Sequence, residues 1–499
     1  MKNKTFGLIY LEPDELILQV FERPSMKLIT EVRSGTMQVG AHPVANYAHN
    51  LVAIVNSLTG FQRVLADYGV EQTKFYGNRE DLSPVAARYV ADQIEVRTGL
   101  KIHWLNTSQL IADTLSRLMT KLPHFDELSK KSLYVLSMGL NTSTLAYFRH
   151  GKFQMSWDID LGGARLSQLV TTLRQTTTNP SEIILDYISS KLEYLVPELR
   201  HVKKSRLLIQ NVSTLAQSFV PAGEQLGEVP REEFEQRYQS LITATDQYII
   251  SHYDVNEQSV NWVLPNYLVA ERVIHLLNAK HVYATNISVL DGVTTAASGG
   301  QQLISQMIRT SADNLAQRYG ADSKHNAFVA ALAVKLFDAL QPIHRLSQND
   351  RLLLEIASKV DDIGNFINPQ AHYRHSAYIL EANPLIGLSD KDNHIVAEVA
   401  RYHSMESPHI NQRSNTSLDL ESQITVGKLA AILRMADSLD DSRQQKIKQV
   451  RLRLHDDELQ ILAKADDDLV VEQWAFQKKS QLFKAIYGLK PVLITKEED

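Results

Sequence analysis

The sequence predicts two successive α/β halves followed by a third, mostly helical domain. Three observations carry this reading. Short alternating apolar runs give way to segments of helical period, that order restarts once, and from about Gln301 the texture turns almost continuously helical. At 499 residues the chain is too long for one ordinary core, since domains run to roughly 100–200 residues. The expected domains are 1–125, 126–300 and 301–499.

The first half opens with "TFGLIYLE", "DELILQVFER" and "MKLITEV", broken by Pro13 and by "RPS", which reads as an antiparallel hairpin or meander. Helix, strand, helix, strand and helix follow through "TKFYGN" and "KIHWLN". The second half repeats the plan with "KSLYVLSM", "STLAYFRHG" and "KFQMSWDIDLGG", then helices, then later strands in "SRLLIQN" and "HVYATNISVLDG". Two α/β halves that each open with a hairpin form the plan of the duplicated actin-like (ribonuclease H-like) ATPases. In that plan a ligand sits between the halves, at the carboxyl ends of the strands. The third domain carries helical stripes in "HNAFVAALAVKLFDAL", "RLLLEIASKVDDIG" and "TVGKLAAILRMADSLDDSR", and the alternation "VRLRLHDDELQILAKADDDLVV" predicts a small hairpin near its end.

Composition narrows the chemistry. With 44% hydrophobic and 22% charged residues the chain reads as globular, and a net charge of -5 gives no global pull toward nucleic acid or an anionic membrane. The absence of cysteine excludes disulfides, thiolate zinc sites and cysteine nucleophiles, which suits the cytosol. No stretch reads as a signal peptide or a membrane span.

One constellation stands out in the helical domain. His325 lies one turn before Val329 on an apolar stripe, and Asp437 continues the stripe Val426, Ala430, Leu433. Between them "SKVDDIGNFINPQAHYRHSAYIL" places Asp361 and Asp362 at a helix end, ahead of His372 and His375, with His403 further on. A divalent metal with oxygen and imidazole ligands wants carboxylates and histidines converging from several helices. The plainer reading has each histidine satisfied in the core and each aspartate capping a helix or paired with an arginine. A further reading gathers His372, Arg374, His375, Arg401, His403, Arg434, Arg443 and Lys446 into a basic lining for a polyanion, which Asp437, Asp440 and Asp441 would otherwise neutralise.

From "HNAFVAALAVKLFDAL" through "VDDIGNFINPQAHYRHSAYIL", "IVAEVARYHSM" and "KLAAILRMADSLDDSRQQKI" to "LFKAIYG", the third domain resembles the HD-like domain of the exopolyphosphatase and guanosine pentaphosphate phosphohydrolase (Ppx/GppA) family. The first half resembles the family through element order, "LGGARL" and "SVLDGV". The resemblance implies an actin-like phosphohydrolase that removes terminal phosphates from inorganic polyphosphate or the guanosine alarmone with magnesium, and a helical domain that extends the polyanion channel. It implies dimers, and for this chain pairing with an active paralogue is the alternative; neither a membrane nor a specific nucleic acid is expected as partner.

Carried over position by position, the resemblance meets a depleted catalytic set. The family's first phosphate loop falls on "YLEPDE", Tyr10 to Glu15, with no glycine or serine. Its catalytic glutamate falls on "LNTSQLIAD", where Gln109 stands and no carboxylate follows until Asp113. The second loop falls on "SMGLNTST", which keeps Gly139 and the hydroxyls of Thr142 and Ser143, with Leu140 hindering close backbone approach; the third falls on "QNVST", with Ser213 and Thr214. In the helical domain His325, Asp362 and Asp437 match the phosphohydrolase metal positions, and Asp361 replaces the usual histidine. That set suits magnesium or manganese. Two expectations follow: an exopolyphosphatase-type hydrolase of weak activity, with phosphate held by the hydroxyls above and by Arg374, His375, Arg401, Arg434, Arg443 and Lys446, or a non-catalytic polyphosphate-binding regulator.

Overall fold

The computed structural model describes residues 5–12, 15–34, 43–79, 82–139, 142–177, 180–199, 205–253, 255, 260–404 and 418–495. It divides into two compact units, 1–304 and 305–499.

The first unit contains two sheets. Strands β1 (Thr5–Leu11), β2 (Leu16–Glu22) and β3 (Lys27–Arg33) form an antiparallel meander, and β4 (Thr73–Asn78) and β5 (His103–Leu105) join it in parallel, giving the order β3-β2-β1-β4-β5. The second sheet starts again with the meander β6 (Leu133–Met138), β7 (Ser143–Arg149) and β8 (Lys152–Ile159), to which β9 (Arg206–Gln210) and later β11 (His281–Thr285) add in parallel. Its order, β10-β11-β9-β6-β7-β8, repeats the pattern of the first sheet, with the short β10 (Leu226–Glu228) added antiparallel at the edge. Two sheets of the same strand order, each a meander followed by parallel strands, make the duplicated actin-like (ribonuclease H-like) arrangement.

The central strands β1, β2 and β6 are buried almost throughout and are accordingly apolar, whereas β3 at the edge is largely exposed. On β1 the two-residue period sends Ile9 and Leu11 to one core, with Ile54, Leu58 and Phe61, and Phe6, Leu8 and Tyr10 to another, with Leu110, Leu290 and Val293. This second core lies where helices Thr107–Lys121 and Val289–Ser298 meet. Both helices start just past the last parallel strand of their half, and both start with a capping box: Asn106 with Gln109, and Ser288 with Asp291. "HVYATNISVLDG" is therefore strand only to Thr285, because Ser288 captures the Asp291 amide and turns the chain into helix. Where the two helices cross, a Cβ on Gly292 would stand 2.6 Å from the Thr114 backbone nitrogen. Only glycine permits so close an approach.

The second unit packs helices Ser323–His344, Gln348–Val360, His372–Ala382, Asp390–Arg401 and Leu420–Ser438 around a common core. The expected terminal hairpin, β12 (Ile447–His455) with β13 (Glu458–Ala465), gains a third strand. Helix Val470–Tyr487 returns the chain so that β14 (Lys490–Thr495) pairs parallel to β13. By length and composition helix Ser323–His344 is apolar enough to cross a membrane. Here Val329, Leu332, Leu336 and Leu340 bury its apolar stripe inside the unit.

Candidate functional site

In the first unit a cavity of about 270 Å³ opens at the carboxyl ends of β1, β4, β6 and β9. Such an opening follows from the parallel strands of both halves ending on the same side. Tyr10 and Glu12 reach it from β1, Asn78 from β4, Ser137 to Gly139 from β6, and Asn211, Ser213 and Thr214 from beyond β9. Glu12 is the only carboxylate among the described lining residues, and none of them is Lys, Arg or His.

The expected phosphate loops are present as chain segments but partly used up. The Gly139 amide donates to the Thr142 carbonyl at 3.0 Å, and the Ser143 hydroxyl, buried, donates to the Leu161 carbonyl at 2.7 Å. The hydroxyl-bearing side chains of Thr142, Ser213 and Thr214 line the cavity. Gln109 does not. Its Oε1 accepts the Asn106 amide at 3.2 Å to close the capping box, so that oxygen serves the helix start. Asp113 is buried one turn further on, and burial pushes its carboxyl up to about 8. Leu140 and Asn141 of the second loop, and Pro13 and Asp14 of the first, lie outside the described residues.

In the second unit three helix ends and the middle of a fourth helix bring a buried polar cluster together. His325 sits in the first turn of its helix, which Asp322 caps by accepting the Lys324 and His325 amides. Asp361 ends helix Gln348–Val360, Asp437 and Asp440 lie at the end of Leu420–Ser438, and Lys479 reaches in from Val470–Tyr487. His325 Nδ1 stands 2.8 Å from Asp440 Oδ2, and its Nε2 stands 3.3 Å from Asp437 Oδ1 and 3.9 Å from Asp362 Oδ2. Burial works against the imidazolium, yet Asp437 and Asp440 outweigh it and raise the pKa to about 10. Lys479 Nζ lies 2.5 Å from Asp437 Oδ2 and 2.8 Å from Asp441 Oδ1. Burial alone would raise Asp437, but Lys479 and His325 hold it well below the usual carboxylate range. Arg443 donates to Asp362 Oδ2. Despite its burial, Asp362 is kept low by His403 and Arg443, whereas burial and the charges of Asp362 and Asp437 push Asp361 far up.

These contacts bear on the magnesium set. Three cations, His325, Lys479 and Arg443, already face the carboxylates of Asp362, Asp437, Asp440 and Asp441, and burial pushes the Asp361 carboxyl up, against its charged form. A divalent ion at His325, Asp361, Asp362 and Asp437 would have to displace Lys479 and Arg443. The four residues do not fit magnesium as they stand.

The basic lining is dispersed in the same way. Arg401 Nε donates to Glu398 at 2.8 Å, buried Arg434 donates to the Tyr402 carbonyl at 2.6 Å, and Lys446 donates to the Asp468 carbonyl at 2.9 Å. Arg434 is pulled down to about 10 by burial alone. Arg374 is exposed and stacks at 5.7 Å on its neighbour Tyr373, and His375 is half-buried. Arg401, Arg434 and Lys446 thus tie the unit together internally. Sequence reasoning missed Lys479, for which no periodic signal exists. Asp440 was weighed only as a neutralising charge, although it falls one turn beyond Asp437.

A model of the Ppx/GppA phosphatase domain III matches residues 308–479. A guanosine-5'-triphosphate,3'-diphosphate pyrophosphatase of Aeromonas hydrophila is 32% identical over 132 residues, and one of Pseudoalteromonas translucida is 27% identical over 128 residues. Each alignment covers 25% of this chain and 25% of the relative, so the match spans about a quarter of those proteins. Among solved structures, an exopolyphosphatase from Cytophaga hutchinsonii superposes with a TM-score of 0.49 at 12% identity, over 59% of this chain and 97% of that one. A Ppx/GppA family member from Aquifex aeolicus gives 0.47 at 10% identity, over 59% and 97%.

Proposed function

Because the chain belongs to the Ppx/GppA phosphatase family through its helical unit, we propose that it is an exopolyphosphatase-type hydrolase of weak turnover, acting on the terminal phosphoanhydride of inorganic polyphosphate or a guanosine polyphosphate. The observation that carries the proposal is the cavity of about 270 Å³ at the carboxyl ends of equivalent strands, where Glu12 faces the hydroxyl-bearing residues Thr142, Ser213 and Thr214.

In this reading a terminal phosphate enters the cavity and the hydroxyls donate to its non-bridging oxygens. Glu12 orients a water and takes its proton as the water oxygen bonds to phosphorus. The anhydride P–O bond breaks, and the shortened chain leaves with the bond's electron pair. Phosphoryl transfer depends on electrostatic stabilisation of the spreading negative charge. A lining without Lys, Arg or His among the described residues supplies little of it, which is why the proposed turnover is weak.

Gln109, at the position of the family's catalytic glutamate, closes a capping box instead, which favours a second reading, a non-catalytic regulator that binds the polyanion, as a homodimer or with an active paralogue. The test is phosphate release from long-chain polyphosphate and from guanosine pentaphosphate, with magnesium or manganese present, beside a binding measurement on the same preparation. Turnover that falls about a hundredfold in Glu12→Gln supports the hydrolase. Binding without turnover supports the regulator. Absence of both overturns each reading.

A further inference from the structure

Among the described residues, two groups of three potential ligands lie within 4.8 Å of one another: Asp362 with His372 and His403, and Glu381 with His394 and Glu398. In the second group Arg401 already stands 2.8 Å from Glu398, so a guanidinium fills the place of a metal cation. In the first group Arg443 engages only Asp362 Oδ2, and among the described residues no other Lys or Arg pairs with that carboxylate.

Both imidazoles are oriented by the backbone. His372 Nδ1 lies 3.1 Å from the Pro369 carbonyl and His403 Nδ1 lies 2.6 Å from the Ala400 carbonyl. A carbonyl only accepts, so each Nδ1 carries a hydrogen, and an imidazole that holds no second hydrogen presents its Nε2 lone pair. Those two Nε2 atoms face each other at 3.1 Å. Asp362 Oδ1 lies 3.3 Å from the first and 3.8 Å from the second, while Arg443 engages the other oxygen of that carboxylate. With both imidazoles neutral, three acceptor atoms would point at one another. Such an arrangement is relieved by a cation among the three atoms, either a proton on one Nε2 or a metal ion bound by all three.

We propose that Asp362, His372 and His403 form a binding site for a first-row transition-metal dication of the zinc, manganese or iron class. Ligand bonds of about 2.0–2.2 Å place the ligand atoms of one ion roughly 3.0–3.5 Å apart, close to the spacings found here. Two nitrogens and one oxygen favour such ions over magnesium or calcium. An imidazole that donates its other nitrogen's hydrogen to a backbone carbonyl is the usual outer support of a metal ligand. The site is also rigid. Gly364 lets the turn Ile363–Phe366 lie directly against helix His372–Ala382, since a Cβ there would meet the His372 carbonyl oxygen at 2.0 Å. Arg434 pins the turn before His403 through the Tyr402 carbonyl. His403 and Asp362 are buried and His372 is partly exposed, so one side stays open for water or an oxyanion ligand. The site shares Asp362 with the magnesium set expected from the sequence but lies on its other oxygen, away from Lys479. It is independent of whether the chain hydrolyses phosphoanhydrides.

The experiment uses the full chain stripped with a chelator and titrated with Co2+ or Zn2+, read by visible absorption for cobalt and by metal content after gel filtration. A single retained equivalent is expected, weakened at least about tenfold in His372→Gln, a partly exposed position, and unchanged in Glu381→Gln. Absence of retained metal in the unmodified chain overturns the proposal without reference to any variant. Retention in His372→Gln at full affinity, or loss in Glu381→Gln alone, overturns it as well.

Discussion

Lys479 Nζ stands 2.5 Å from Asp437 Oδ2, in the interior of the helical unit. Its second partner, Asp441, lies at 2.8 Å, and together the two carboxylates raise the lysine pKa despite burial. A buried pair of this kind contributes little net stability against a hydrophobic replacement, but removing one partner strands the other. Lys479→Met should therefore destabilise the helical unit by about 3–5 kcal/mol, and Lys479→Met with Asp437→Asn should recover part of that. Urea denaturation of the single and double variants checks it; a single variant as stable as the parent would show that Asp437 needs no cation.

Asp113 makes the stability of the first unit depend on pH. Its carboxyl titrates near 3.8 when unfolded and at about 8 when buried in the fold. Between these values the folded protein keeps a proton that the unfolded chain gives up, so its stabilising contribution is full below pH 3.8 and is lost as pH rises through 8. Asp113→Asn should flatten the loss between pH about 5 and about 9. Denaturant midpoints at both pH values, parent against variant, decide it, and parallel pH curves would contradict the burial argument.

At the crossing of helices Thr107–Lys121 and Val289–Ser298, Gly292 leaves no room for a methyl beside Thr114. Gly292→Ala should cost about 1–3 kcal/mol even though alanine favours helix, because the backbones must separate. Thermal melting gives the sign: a rise in Tm would mean that the helices tolerate separation.

Gly364 meets the same constraint more severely, with the His372 carbonyl 2.0 Å and the Ser376 amide nitrogen 2.5 Å from its ideal Cβ position. Gly364→Ala should lower the stability of the helical unit by about 3 kcal/mol or more, beyond ordinary overpacking, since the obstacles are backbone atoms. Hydrogen exchange of helix His372–Ala382 would report the displacement, and unchanged protection there would contradict it.

Much of the architecture was legible in the sequence. Alternation in "TFGLIYLE" and "DELILQVFER" marked β1 and β2, and the restart at "KSLYVLSM" marked the second sheet, because periods of two and of 3.6 residues are written locally. Ser288 was misread within a strand because a capping box differs from a strand end by only two hydrogen bonds. In the site, His325, Asp362 and Asp437 were singled out from spacing and meet in the fold, at 3.3 and 3.9 Å from the histidine Nε2.

The partners of those residues were decided by tertiary structure alone. Arg443 reaches Asp362 across 81 residues, Lys479 reaches Asp437 across 42, and His372 faces His403 across 31. The sequence by itself determined the order of strands and helices and which residue types were available for chemistry. Whether a buried aspartate meets a lysine, an arginine or two imidazoles depends on where distant helices converge. That convergence decided that Asp437 is neutralised by an ammonium, and that the oxygen of Asp362 away from Arg443 faces the two histidines.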